Sequence, residues 1–402
     1  MPPAVSGAWP LAGHTLEFIR HSETAVTRGL REHGPVFSLR LAGRTSVVLV
    51  GAEHARFFFS ETDKRLSLRS AYPFFVRMFD SGFYLFAEFD EYQRQRGIVM
   101  RRFQARQVGA YIELMERQAV DLIDGLGAGG EFDLTPVFGP LVMRIAAQCF
   151  LGDEFAARLG DDWFTEFRRF SAGMDPVTPP WLPMPHLIRS RRARDRLRSV
   201  LRGFLQERRE HPVDPSDFFQ TLAEARFADG AAVPDLVLVN LILLLTWAGH
   251  ETTTGHLAWA LVDLLQHPAD LEAVLAEQRR VLDPGQPLSA AVIHQLSHLD
   301  AALHESERLH PVANLLARGA AEDFEYAGYR IARHDADPVD GADPPQPGRV
   351  RRSRLLPPGQ VPRGPEGALA ARGLRRRGAP LSRHAFRVSR DGGRRHDAAA
   401  AL

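Results

Sequence analysis

A run of small, acidic and hydroxyl-bearing residues at 248–254 is the strongest chemical signal in the sequence. Ala248 and Gly249 leave space beside the backbone, and Glu251 and Thr252 place a carboxylate next to a hydroxyl. Glycine and threonine are poor helix formers, and a threonine hydroxyl competes for the carbonyl four residues earlier. We therefore expect a local helix opening that makes a pocket for a small ligand or water. The alternative is a kinked helix with a solvated glutamate.

A second candidate is the pair Glu305 and Arg308. Three residues apart on a helix, they share a face and can form a bidentate ion pair. The same spacing occurs between Glu277 and Arg280, so the pair alone means little. The residues that follow make the pair more informative. Pro311 ends the helix, and Arg318 and a Gly-Tyr-Arg-Ile strand pattern at 328–331 come after it.

The elements that must position these residues are mostly helical. Residues 35–41 and 45–50 predict a β-hairpin, since β-branched and alternating residues flank Gly43. Helical patterns follow at about 88–103, 107–126, 138–151, 157–171, 188–210, 234–266, 268–282, 289–296 and 300–309. The sequence therefore predicts a mostly α fold with a small β-sheet.

Composition is typical of a soluble globular protein. Of 402 residues, 45% are hydrophobic and 25% charged, which allows a core large enough to enclose a cofactor. The single cysteine, Cys149, excludes a disulfide framework and fits a cytoplasmic location. We expect no signal peptide at residues 1–13. The apolar run 237–248 is shorter than the roughly 20 residues of a membrane span, so it predicts a buried helix.

The sequence changes character near Ile331. The segment 332–402 is rich in arginine, proline and glycine, and Phe386 is its one aromatic residue. Such a composition cannot bury enough apolar surface to offset the entropy cost of ordering. We expect a folded body over 1–331 and a disordered tail over 332–402.

Taken in order, these motifs resemble the cytochrome P450 family of haem monooxygenases. The resemblance covers roughly residues 8–331 and implies the cytochrome P450 fold, with haem and O2 as cofactors. By this likeness Ala248 and Gly249 lie over the haem, and Glu251 and Thr252 are the acid–alcohol pair that delivers protons.

The same resemblance implies further contacts. Arg318 matches a partner of a haem propionate, and Arg96 would be a second one. Tyr92 and Arg96 fall where the family has His or Trp followed four residues later by Arg, and Tyr92 departs from that residue type. Glu305 and Arg308 match a buried ion pair behind the haem. Arginine suits propionates because its planar fork meets a carboxylate bidentately.

Several stretches are similar to the sterol 14α-demethylase branch of the family, namely 71–74, 173–176, 182–183 and 248–250. In that branch Tyr72 would sit at the haem edge. The likeness implies a bulky hydrophobic substrate, with a sterol as one candidate. It also implies electrons from NAD(P)H through a ferredoxin or flavodoxin partner.

The family's axial cysteine loop, of the form FGxGxxxCxG, is missing. No cysteine follows Arg308, and Cys149 is interpreted as a buried structural thiol. Read one nucleotide further on, the tail can encode a family-like strand over 332–350 and the missing loop over 374–383, with cysteine at the position of Leu381. We hypothesise a frameshift near Ala332, and expect the chain as written to lack monooxygenase activity.

Two other function classes remain open on the sequence. One is a non-catalytic protein that binds lipophilic molecules in the same cavity without haem. The other is a basic tail that binds nucleic acid or an anionic membrane. The tail lacks interleaved aromatic residues, so we expect no nucleic-acid partner.

Overall fold

The structure, a computed structural model, describes most of residues 1–333 and two short strands beyond them. The described residues are 1–333 except 42, 70, 73–74, 81, 88, 101–104, 128, 161, 176–177, 179–181, 214–216 and 283–285, together with 351–355 and 385–389. The chain forms two compact units. Unit 1 comprises Met1–Gln93, Ala172–Arg191 and Ala313–Ala368, and unit 2 comprises Arg94–Ser171, Arg192–Val312 and Leu369–Leu402.

Helices dominate the described residues. In chain order they are α1 (Thr15–His33), α2 (Ala52–Ser60), α3 (Val76–Phe79), α4 (Phe89–Met100), α5 (Ala105–Leu126), α6 (Leu134–Leu151), α7 (Asp153–Leu159), α8 (Asp162–Ser171), α9 (Pro185–Glu210), α10 (Phe218–Ala223), α11 (Asp235–Gln266), α12 (Pro268–Val281), α13 (Ala290–Ile293) and α14 (Ser297–Leu309), with a short 3₁₀ helix at Tyr84–Phe86.

Three small sheets complete the described fold. The strands are β1 (Val36–Leu41), β2 (Arg44–Leu49), β3 (Leu66–Ser67), β4 (Gly129–Asp133), β5 (Leu316–Ala320), β6 (Phe324–Tyr326), β7 (Tyr329–Ile331), β8 (Arg351–Leu355) and β9 (Ala385–Ser389). One sheet has the order β1-β2-β8-β5-β3, and the others pair β4 with β9 and β6 with β7. The pairing of β2 with β8 is parallel and the other pairings are antiparallel.

The core of unit 1 forms around the β1–β2 hairpin, whose register pairs Val36 with Leu49 and Leu41 with Arg44. One hydrophobic cluster packs α1 against β1, and another packs α2 against β2 and β7. A side chain at Gly29 of α1 would lie 2.3 Å from the ring of Phe37, so only glycine allows this close approach.

The core of unit 2 forms where α6 packs against α11. Leu134, Phe138 and Leu141 of α6 contact Ala258 and Val262 of α11, and all five are buried. At 32 residues, α11 is about 48 Å long. Its buried residues recur along most of its length, so α11 is a central element of this core.

Two described helices, α6 and α11, are long and apolar enough to pass a membrane-span criterion based on length and composition. Of their most apolar 18-residue windows, 56% and 44% are buried inside the protein. Core helices of soluble proteins satisfy the same criterion, so the expected absence of a membrane span stays a prediction.

The predicted fold class is confirmed, since the chain is mostly helical with small sheets. The structure also contains helices that the sequence patterns did not predict, chiefly α1, α2 and α10. In the segment 332–402 it describes β8 and β9 as strands. The expected disorder otherwise falls outside the described residues.

Candidate functional site

The centre of α11 exposes small side chains in an otherwise apolar helix. Ala248 and Thr252, one turn apart, are exposed, whereas Leu243 before them and Ala258 after them are buried. Residues four apart lie on one face of a helix, so these two form a short exposed stripe. Gly249 and Glu251 lie beside it and are partly buried. All four predicted α11 residues are therefore brought together.

The threonine hydroxyls in this region bond as the sequence predicts. Thr252 Oγ1 donates to the carbonyl of Ala248 at 2.8 Å, and Thr253 Oγ1 donates to that of Gly249 at 2.6 Å. The predicted local opening was wrong, because α11 stays α-helical from Asp235 to Gln266. A carbonyl has two lone pairs, so it can accept from a hydroxyl while keeping its backbone bond.

His250 lies on the buried side of α11, next to Glu251. Its Nε2 is 3.6 Å from the Glu251 carboxylate, and its ring meets Phe164 and Phe167 edge-on. Burial lowers the pKa of His250, and the Glu251 charge opposes that effect. We expect a neutral imidazole at neutral pH.

In unit 1, Arg318 and Tyr72 lie together. Arg318 is 8% exposed and hydrogen-bonds to the hydroxyl oxygens of Thr62 and Tyr72, while the Tyr72 hydroxyl also accepts from the Ala317 amide at 2.8 Å. The guanidinium stacks over Phe58 with 4.7 Å between its carbon and the ring centre. Burial lowers the pKa of Arg318.

Arg318 forms no ion pair within the part of the chain that the structure describes. The charge of Asp63 acts on this guanidinium but does not offset its burial, and a desolvated guanidinium without a direct carboxylate partner favours the binding of an anion. A propionate would supply the missing charge. Thr62 and Phe58, which hold this side chain, were not among the predicted residues, and no local sequence pattern marks them.

Tyr92 and Arg96 both belong to α4. Tyr92 is buried, and its ring lies 5.5 Å from that of Tyr84. Arg96 is exposed. The structure records Tyr92 in unit 1 and Arg96 in unit 2, so each is described by itself.

Glu305 and Arg308 form the predicted pair, with Arg308 Nε 2.7 Å from Glu305 Oε2. The expected burial of this pair was wrong, because the two side chains are 56% and 33% exposed. They project from the outer side of α14, whose one buried residue is Ser306. The hydrogen bonds that Arg308 donates to the Glu305 carboxylate raise the pKa of Arg308.

The sequence did not predict the structural role of Glu277. Its three-residue spacing to Arg280 was interpreted as a chance occurrence. Its buried carboxylate accepts hydrogen bonds from the amides of His298 and Leu299 and from the Ser297 hydroxyl, all at the start of α14. A carboxylate at a helix N-terminus satisfies amides that lack helical partners. Glu277 thus fixes the start of the helix that bears Glu305.

The described residues suit the edge of a porphyrin but do not suit its sulfur-ligated iron. The only cysteine, Cys149, is 8% exposed on α6, and burial raises its pKa to about 12. The thiolate is the form that binds metal, so burial disfavours this thiol as a ligand. Among the described residues no cluster of three His, Cys, Asp or Glu side chains could hold a metal ion.

Comparison with known proteins gives a consistent result. The cytochrome P450 family model matches residues 2–335. Sterol 14alpha-demethylase of Mycolicibacterium vanbaalenii is 30% identical over 339 residues, which cover 82% of this chain and 74% of the relative. Sterol 14-demethylase of Arabidopsis thaliana is 25% identical over 327 residues, which cover 81% of this chain and 67% of the relative.

Among solved structures, the retinoic acid-bound cyanobacterial CYP120A1 matches with a TM-score of 0.75 at 23% sequence identity. The match covers 89% of this chain and 77% of that structure, and it shows the fold alone. Membership of the family implies a monooxygenase with haem iron and O2-dependent chemistry, a hydrophobic substrate and a redox partner. On its motifs, its fold and its sequence relatives, this chain belongs to the cytochrome P450 family.

Proposed function

We propose that the gene encodes a monooxygenase that hydroxylates or demethylates a bulky hydrophobic molecule, and that this chain as written has lost that activity. The observation that supports the first half is the exposed stripe of Ala248 and Thr252 on α11. Small side chains at the middle of a core helix leave room for a flat cofactor and a substrate, whereas larger ones would fill it.

The proposed residue roles follow from the chemistry of each side chain. Glu251 and Thr252 would move protons beside the substrate, since both carry exchangeable protons on one turn of α11. Arg318, buried and hydrogen-bonded with Tyr72, would hold one propionate, and Arg96 would hold a second. Tyr92 lies one helical turn before Arg96 in sequence and would line the cofactor's edge.

A sterol-like substrate is supported by the relatives, which are sterol 14-demethylases. We propose that electrons come from NAD(P)H through a ferredoxin or flavodoxin protein and that the protein works in the cytoplasm. Packing of α6 against α11 in the core of unit 2 supports the second point, because this contact covers apolar surface that lipid would otherwise cover.

The loss of activity is proposed from the absence of the axial cysteine. A thiolate ligand gives a P450 the electron density that favours O–O cleavage, and this chain offers none after Arg308. The family match ends at residue 335, close to the proposed frameshift near Ala332. The tail's arginine-rich composition is what an out-of-frame, GC-rich coding sequence would produce.

Two experiments test the proposal. The nucleotide sequence from codon 332 to codon 382 should show that a one-base shift places a cysteine codon at the position of Leu381; a shifted frame without that codon refutes the frameshift. A frame-restored protein, supplied with NAD(P)H, a reductase and a ferredoxin, should oxidise a sterol or other bulky lipophile. The chain as written should not, and equal turnover by both would refute the proposed inactivity.

A further inference from the structure

A cavity of about 130 Å³ lies in unit 2, between α5, α6, α7 and α8. Pro140, Met143, Ala147 and Phe164 give it apolar walls, while Arg144 and Asp153 also line it and it is partly open to solvent. Cavities of about 150 Å³ in protein cores bind benzene. The volume therefore suits a single six-membered ring.

Two polar atoms of the residues that line this cavity have no partner within the described part of the chain. Trp163 is 6% exposed, and its indole Nε1–H has no acceptor; Gln148 Oε1 has no donor. A buried polar group without a partner is unfavourable, because it loses its hydrogen bonds to water and gains none. Two residues that line the cavity thus carry an unused donor and an unused acceptor.

The orientation of the Gln148 amide is fixed by its neighbour. Its Nε2 donates to Asp153 Oδ1 at 3.1 Å. An ionised carboxylate only accepts hydrogen bonds, so the NH₂ end must face Asp153. The carbonyl end is then the one left for a ligand.

We propose that this cavity binds a small phenolic compound. The ring would rest on Met143, Ala147 and Phe164, and the hydroxyl would accept from Trp163 Nε1 and donate to Gln148 Oε1. A hydroxyl is one of the few groups that donates and accepts through a single atom. A carboxylate could not donate to Gln148, and a plain hydrocarbon would leave both polar atoms unsatisfied.

A larger groove nearby shares Trp163 but is a weaker candidate. Its arginines already form ion pairs: Arg158 pairs with Glu207, and Arg169 and Arg196 pair with Glu166. A charged side chain that already has a partner gains little free energy from binding a ligand. A buried polar atom without a partner gains a hydrogen bond.

The cavity wall also contacts α11. The ring of Phe164 meets that of His250 edge-on, with 5.9 Å between ring centres and 89° between planes. A ring seated against Phe164 should therefore shift the imidazole NMR signal of His250. A compound bound elsewhere on the surface would leave that signal unchanged.

Calorimetric titration of the full chain with phenol and with toluene tests the proposal. The two probes have similar size, and toluene lacks the hydroxyl. We expect phenol to bind about tenfold more tightly, the gain from a net hydrogen bond. Trp163→Phe should remove most of that advantage, and Trp9→Phe, which alters an exposed indole in unit 1, should keep it.

Several outcomes would overturn the inference. They are equal affinity for phenol and toluene, binding of neither, a His250 signal unmoved by phenol, and an unchanged preference in Trp163→Phe. Should Trp163→Phe fail to fold by circular dichroism, Gln148→Met provides the second variant. It removes the acceptor while keeping a side chain of similar length, and it too should reduce the preference for phenol.

Discussion

The hydroxyl of Thr252 donates a hydrogen bond to the carbonyl of Ala248 at 2.8 Å, and both residues are exposed at the middle of α11. Two residues further on, Thr254 is buried, and its hydroxyl has no partner among the described residues. One helix thus contains a satisfied exposed threonine and an unsatisfied buried one. This difference predicts that replacing a buried threonine by valine affects stability more than the same change at an exposed threonine.

Thr254→Val should stabilise the chain by about 1 kcal/mol, because a methyl group replaces a buried hydroxyl that has lost its water. Urea unfolding at neutral pH measures the change. Thr253→Val is the matched control on the exposed side, where the hydroxyl already bonds to Gly249, and it should change the free energy of unfolding by less than about 0.5 kcal/mol. Destabilisation by Thr254→Val would show that its hydroxyl has a partner.

Glu277 should make the stability of unit 2 sensitive to acid. Burial raises the pKa of its carboxyl, but hydrogen bonds from His298, Leu299 and Ser297 outweigh that effect and lower the pKa below its usual 4.5. A depressed pKa stabilises the folded state above pH 4.5, and this contribution is lost as the pH falls through the folded value.

We therefore expect Glu277→Gln to lower the free energy of unfolding by about 1–3 kcal/mol at pH 7 and by less near pH 3. Urea unfolding at both pH values gives the comparison. Glu272→Gln on the same helix is the control, since Glu272 is exposed and pairs with Arg279. A loss for Glu277→Gln that is the same at both pH values would contradict the proposed protonation effect.

Cys149 should be unreactive in the folded protein. Burial raises the pKa of its thiol to about 12, so almost none is thiolate at pH 7. A disulfide reagent should label it slowly in the native chain and at once in guanidinium. Rapid labelling of the folded protein would mean that the thiol is accessible and ionised. Cys149 would then again be a candidate metal ligand.

Arg318 should matter for haem retention more than for folding. In a frame-restored protein, Arg318→Met should lower the haem that remains after desalting several-fold, because a propionate loses its guanidinium partner. In the chain as written, the same change should be neutral or slightly stabilising, since it removes a buried charge that has no ion-pair partner among the described residues.

The control for that experiment is Arg330→Met, which removes an exposed arginine paired with Asp323 in the same unit. It should leave haem retention unchanged. Equal haem content in the Arg318→Met and Arg330→Met proteins would remove Arg318 from the proposed cofactor contacts.

The sequence predicted α11 well, because its long apolar pattern and its breakers at both ends are local features. The predicted bounds of 234–266 differ from Asp235–Gln266 by one residue. It missed α1, whose helical pattern is interrupted by a non-helical His21 and whose Leu16 and Ile19 are exposed. Packing on β1 stabilises that helix, and periodicity does not report such a contact.

The candidate site was predicted only in part, because some of its contacts are local in sequence and others are not. The Glu305–Arg308 pair forms because three-residue spacing on a helix guarantees proximity, but its burial depends on what covers α14. The buried setting of Arg318 depends on Phe58 and Thr62, more than 250 positions away. Such contacts are set by the fold, and no spacing rule along the chain encodes them.

The proposed loss of activity follows from the missing thiolate, and a reduced carbon monoxide difference spectrum tests for that ligand directly. Two proteins should be reconstituted with haem side by side, the chain as written and its frame-restored counterpart. We expect a thiolate-type Soret band from the frame-restored protein and none from the chain as written. A normal thiolate-type band from the 402-residue chain itself would contradict the account.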